Sequence, residues 1–140
     1  MHAAMTNATT QSVASRPAMR VLRGALILQV VLGLVWGISM LFFASAIALG
    51  DRSGPHIEKI AMEGGAHFML VFGAILVWRS PHEARLALLI MIFLNALWAM
   101  TDLVYIPLFA LTAIDFAVKL VVNAVLAISL AVGGRLARII

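Results

Sequence analysis

Long apolar stretches separated by short polar turns run through almost the whole chain. Four of them, at about 21–49, 57–78, 83–106 and 111–133, each hold the roughly 20 residues that a helix needs to cross a bilayer core. Turn residues mark the breaks: residues 50–55, then Ser80 and Pro81 as the predicted cap and first residue of the third helix, and then Pro107. The pattern predicts an all-α integral membrane protein, an up-down-up-down four-helix bundle.

The remaining residues form two predicted tails. Residues 1–20 lack apolar periodicity and are expected to be a disordered N-terminal tail. The four-helix domain spans residues 21–134, and residues 135–140 form a short basic tail.

Composition excludes several classes of protein. Of 140 residues, 64% are hydrophobic, 11% are charged and none is cysteine. An ordinary water-soluble domain is about 25% charged, and a chain without cysteine has neither disulfides nor thiolate metal sites. The net charge of +4 comes from basic residues that flank the apolar stretches, so we expect a lipid bilayer as partner and no nucleic acid.

The basic residues also predict an orientation. Arg52 and Lys59 lie on one side of the predicted bundle. Seven arginines lie on the other side: Arg16, Arg20, Arg23, Arg79, Arg85, Arg135 and Arg138. The positive-inside rule therefore predicts that both termini are cytoplasmic. We expect the chain to lie in the cell's inner (plasma) membrane.

Polar residues inside the predicted helices form single stripes at helical spacing. A charged group at membrane depth costs about 2.5–3.5 kcal/mol and is a functional hypothesis by default. At 1.5 Å per residue, the stripes of three helices reach matching depths in the outer leaflet. They predict a pocket open to the outside, lined by Glu63, His67, Asn95, Trp98, Asp102, Asp115, Lys119 and Asn123.

The polar stripes have more than one interpretation. Lys119 paired with Asp115 or Asp102 would simply hold the bundle together. Alternatively, Glu63, His67 and Asp102 are candidate catalytic residues for acid/base chemistry. The spacing of paired metal ligands and of facing histidines for haem is missing, so we expect neither metal nor cofactor.

Small residues predict where helices approach closely. Gly33 and Gly37 form a GxxxG pattern in the first helix, and Gly65 and Gly73 line a narrow face of the second. Such faces pack helices within a bundle, and a homodimer through the first helix is the alternative.

Several segments resemble a known family: residues 63–66 (Glu-Gly-Gly-Ala), Leu76, Arg79, residues 81–85 (Pro-His-Glu-Ala-Arg) and residues 102–106 (Asp-Leu-Val-Tyr-Ile). They are similar to the DoxX-like superfamily of small four-helix membrane proteins, in particular its BphX-like branch, which occurs in loci for aromatic-compound breakdown. The resemblance implies a fold of four membrane helices and assigns no catalytic residues.

Three function classes follow from the sequence. The first is an accessory or binding protein for a hydrophobic small molecule or for a membrane-bound catabolic or redox complex. The second is an intramembrane acid/base enzyme, of isomerase or cyclase type, acting on a lipid-soluble substrate. The third is a proton-coupled small-molecule transporter assembled as a dimer.

Overall fold

The fold is given by a computed structural model that describes residues 16–47, 53–109 and 113–140. For residues 16, 105–109 and 113–116 only the backbone is described. The predicted disorder of residues 1–15 lies outside this part of the chain.

Five helices make up the described chain: α1 Arg16–Phe42, α2 Ala44–Ile47, α3 Gly54–Arg79, α4 Arg85–Phe109 and α5 Ala113–Leu136. The four long helices are each long and apolar enough to cross a membrane. The chain is therefore a small integral, multi-pass membrane protein.

The long helices pack as a ring in chain order. Helix α1 packs against α3 and α5, and α4 packs against the same two helices from the opposite corner. Neighbours around this ring run in opposite directions, which confirms the predicted all-α, up-down-up-down bundle.

Two helix ends differ from the prediction. Ser80 does not begin the third helix. Its N–H donates to the Leu76 carbonyl at 2.9 Å and so closes α3, turns follow, and α4 begins at Arg85. Helix α4 also continues through Pro107 to Phe109. A proline this close to a helix end removes one hydrogen bond without stopping the last turn.

The N-terminal half of the fold differs too. Residues 16–20, predicted to belong to the disordered tail, are already part of α1. The predicted unbroken helix 21–49 bends at Phe43, after which α2 forms a separate short turn.

The C-terminal residues are docked on the bundle rather than forming the predicted free tail. The Ile139 N–H donates to the Gly134 carbonyl at 2.9 Å, and the Arg138 N–H donates to the Arg135 carbonyl at 3.0 Å. Arg138 is left-handed, with φ 57°. These two bonds form a Schellman cap, which turns the chain back so that Ala137 and Ile139 are buried.

The apolar core lies at the end of the bundle where α1 begins and α5 ends. We call this end the packed half; its core residues are Ala18, Leu22, Ala25, Leu26, Leu70, Ala74, Val77, Leu88, Met91, Leu130, Ala137 and Ile139. Helices α1 and α5 touch here through Gly133: a Cβ on Gly133 would lie 2.8 Å from the Leu22 Cα. Small residues thus let the helices pack closely, as they do in membrane bundles generally.

Candidate functional site

The opposite end of the bundle contains a cavity of about 360 Å³. We call this end the cavity half. All four long helices contribute to the lining, which consists of Trp36, Met40, His56, Lys59, Ile60, Glu63, His67, Trp98, Thr101, Asp102, Lys119, Val122 and Asn123. The volume lies in the range typical of small-molecule sites.

Three side-chain contacts connect neighbouring helices around the cavity. The His67 ring of α3 lies 4.8 Å, centroid to centroid, from the Trp98 ring of α4. The Asp102 side chain of α4 and the Asn123 side chain of α5 lie near each other in the cavity lining.

The third contact joins α5 to α1. The Lys119 Nζ lies 5.6 Å from the centroid of the Trp36 ring, within the range of a cation–π interaction. Lys119 also lies close enough to Asp102 and His67 to act on both electrostatically. Lys119 therefore faces the cavity rather than the surrounding lipid.

The fourth side of the cavity is closed by glycines. A Cβ on Gly37 of α1 would lie 3.3 Å from the Gly64 carbonyl oxygen, and a Cβ on Gly64 would lie 2.8 Å from the Leu41 amide nitrogen. Gly33 is equally tight, with its Cβ position 2.6 Å from a Val71 methyl carbon. The GxxxG pattern of the first helix is thus occupied by α3 within the same chain.

The two packing glycines predicted for the second helix differ in their surroundings. Gly73 contacts Met91 of α4, at 3.5 Å from its Cβ position. A Cβ on Gly65 would meet none of the described atoms of other helices within 4 Å, and the close approach belongs to Gly64 instead. The prediction for Gly65 was therefore wrong by one position. Neighbouring residues of a helix point in directions about 100° apart, so Gly64 faces α1 while Gly65 does not.

The formal charges of the cavity lining are balanced. Glu63 and Asp102 contribute two carboxyl groups, while Lys59 and Lys119 contribute two ammonium groups. Glu63 is exposed, so it lies at the rim, whereas Asp102 is half-buried. Within the described lining, the site carries no formal excess of either sign when both histidines are neutral.

Beneath the cavity a buried amide pair crosses the bundle. The Asn95 Nδ2 donates to the Gln29 Oε1 at 2.8 Å and to the Met91 carbonyl of its own helix at 2.8 Å. Asn95 is 1% exposed and Gln29 2% exposed. Asn95 was predicted to line the pocket; it is not among the cavity-lining residues, and its side chain reaches across the bundle to Gln29 of α1.

The other predicted pocket residues divide simply. Six line the cavity together: Glu63, His67, Trp98, Asp102, Lys119 and Asn123. The side chain of Asp115 lies outside the described part of the chain.

The cavity also has residues that the sequence interpretation missed, among them Trp36, His56 and Lys59. Lys59 and His56 precede Glu63 by four and seven residues. Extending the polar stripe of the second helix outward by one and two turns would have found them. Trp36 could have been found in the same way, seven residues after Gln29 on the first helix.

Among the described residues, no three His, Asp or Glu side chains come together in a way that could hold a metal ion. No family model, curated protein or solved structure matches the chain.

Proposed function

We propose that the protein binds a neutral, lipid-soluble small molecule that carries one or more hydrogen-bonding groups. The observation that carries the proposal is the cavity itself, in which indole rings and polar side chains from four helices surround about 360 Å³. Apolar sites with a few convergent polar groups are the common form of small-molecule sites.

The balance of charges supports a neutral ligand. The lining contains two carboxyl groups and two ammonium groups, so an ion of either sign would meet a like charge as well as an opposite one. A hydroxyl or carbonyl group would instead find both donors and acceptors, for example Lys119 and Asp102.

The packing of the bundle favours binding over a static channel. The packed half fills the space below the cavity with fully buried side chains such as Leu22, Leu88 and Leu130. This filling favours a molecule that enters and leaves on the cavity side of the bundle.

The basic residues support an orientation for this site. Arg20, Arg23, Arg79, Arg85 and Arg135 all belong to the packed half, which we therefore place at the cytoplasmic face of the inner membrane. The cavity then opens toward the outer side. Accessory work for a catabolic or redox complex, membership of the DoxX-like superfamily and a homodimer through α1 stay predictions.

Native mass spectrometry of the chain released from membranes tests the proposal. We expect a co-purifying organic molecule on the wild-type chain. Asp102→Asn should lower the affinity about tenfold or more, because a hydrogen bond to a charged group contributes about 1.5–3 kcal/mol. The matched control is Glu83→Gln, which removes an exposed carboxyl group at the opposite end of the bundle.

Fluorescence then locates the bound molecule. Trp36 and Trp98 line the cavity, and Trp78, the remaining one of the three tryptophans in the sequence, is not part of the lining. Adding back the extracted molecule should change the emission of the Trp78→Phe variant saturably and leave the Trp36→Phe/Trp98→Phe variant unchanged. The proposal fails if Glu83→Gln and Asp102→Asn lose the molecule alike, or if no molecule is retained. Chemical turnover that Asp102→Asn abolishes would replace binding with acid/base catalysis.

A further inference from the structure

A second concave surface lies on the outside of the packed half, between α1 and α3. It is an apolar groove of about 240 Å³ lined by Leu26, Ile27, Val30, Val31, Ala74, Ile75, Trp78 and Arg79. Apart from Arg79, the lining offers aliphatic side chains and one indole ring. The groove shares no lining residue with the cavity described above.

Two guanidinium groups lie at one end of this groove. Arg79 is the last residue of α3 and part of the lining. The Arg23 Cζ lies 5.1 Å from the centroid of the Trp78 ring, so its guanidinium covers the indole at the rim. Because Trp78 directly precedes Arg79, both cations lie at the level where α3 ends.

Neither cation is neutralised by a described residue of the chain. Both side chains are exposed, and within the described chain neither Arg23 nor Arg79 forms an ion pair. An apolar groove that runs along two membrane helices and ends at paired cations matches a lipid whose chain is apolar and whose headgroup is anionic.

We propose that this groove binds an anionic phospholipid, with an acyl chain along Ile27, Val31 and Ile75 and the phosphate between Arg23 and Arg79. Arginine suits this role because its planar fork pairs with two phosphate oxygens at once. The site is independent of the cavity and of whatever molecule the cavity binds.

Quenching of Trp78 by brominated lipids tests the proposal. The Trp36→Phe/Trp98→Phe variant leaves Trp78 as the single tryptophan. It is reconstituted into vesicles of phosphatidylcholine containing equal small fractions of acyl-brominated phosphatidylglycerol or acyl-brominated phosphatidylcholine. We expect the anionic lipid to be preferred about threefold to tenfold at low salt, and less at high salt.

The control separates a site from general surface charge. Arg23→Gln/Arg79→Gln should bring the preference close to one, whereas Arg85→Gln/Arg135→Gln, which removes the same charge from the same end of the bundle, should keep it. A second measurement uses the unmodified chain: native mass spectrometry from an equimolar mixture of the two unbrominated lipids should retain more phosphatidylglycerol.

Three outcomes overturn the proposal. Equal quenching by the two lipids would make the groove ordinary lipid-facing surface. Equal loss of preference in both double variants would assign it to net charge alone. Shielding of Trp78 from both brominated lipids, together with a dimer in the mass spectrum, would mean that a second copy of the chain covers the groove.

Discussion

The packed half and the cavity half are built from the same four helices and differ in what their facing residues are. In the packed half, alanine, leucine and Gly133 meet, and the helices approach until a Cβ would clash with the Leu22 backbone. In the cavity half, the Trp36 and Trp98 rings and polar side chains line a space of about 360 Å³. Because lipid is as apolar as leucine, close packing rather than hydrophobicity holds such bundles together.

The comparison implies an unequal division of stability. The packed half supplies most of the packing contacts between helices. The cavity half has fewer such contacts, because polar side chains line an open space there. The following variants challenge that division, from the largest expected effect to the smallest.

Leu88→Ala should produce the largest loss. Leu88 is 0% exposed in the packed half, and truncating a buried leucine costs about 2–5 kcal/mol. In a bilayer the loss is mainly one of packing, so we expect about 2 kcal/mol in the free energy of unfolding. Titration with a denaturing detergent, followed by circular dichroism, measures it.

Two control variants show whether the loss is specific to buried residues of the packed half. Leu86→Ala, on the same helix at 69% exposure, should change stability by less than about 0.5 kcal/mol. Val122→Ala, in the cavity lining, should cost about 1 kcal/mol or less, because one side of Val122 already faces empty space. A Val122→Ala cost equal to that of Leu88→Ala would show that the cavity half is packed as firmly as the other.

Gly133→Ala should come next. Its methyl group would lie 2.8 Å from the Leu22 Cα and 3.0 Å from the Leu22 nitrogen, so α1 and α5 must separate. Overpacking of this kind costs about 1–3 kcal/mol. The same detergent titration measures the change.

Gly24→Ala is the matched control for Gly133. Nothing in the described structure would meet its Cβ within 4 Å, and alanine is the better helix former by about 1 kcal/mol. We expect unchanged or raised stability. If Gly24→Ala destabilises the chain as much as Gly133→Ala does, glycine acts through the backbone, and the close approach of α1 and α5 is not the cause.

The sequence predicted the number and arrangement of the helices far better than the residues at which the helices begin and end. Hydrophobic length alone predicts four spanning helices, because the bilayer sets the length that each must reach. The ends depend on a few hydrogen bonds: Ser80 closes α3 rather than opening α4, and Arg138 adopts a left-handed conformation that a glycine usually occupies. Neither choice follows from residue preferences.

The site was predicted in part, for a similar physical reason. Helical spacing places His67, Asp102 and Lys119 on inward-facing stripes, and these residues do line one cavity. Spacing fixes the face of a single helix but not the depth at which two helices meet. Asn95 shares a face with Asp102 yet lies below the cavity, because Gln29 of α1 reaches it there.

The Gln29–Asn95 pair provides the smallest and most specific test, because it lies between the two halves. We expect a coupling of about 0.6–1.7 kcal/mol in a double-mutant cycle of Gln29→Met and Asn95→Leu, the size found for hydrogen bonds between membrane helices. The double variant should be nearly as stable as the wild type, since replacing both partners with apolar groups strands no polar atom.

Thr101 is the control, because its hydroxyl donates to the Leu97 carbonyl of its own helix at 2.8 Å and should show no coupling to Gln29. Asn95→Leu should also keep the molecule bound in the cavity, unlike Asp102→Asn. If Asn95→Leu releases that molecule, the cavity reaches down to the amide pair, and the boundary between the two halves lies deeper in the bundle.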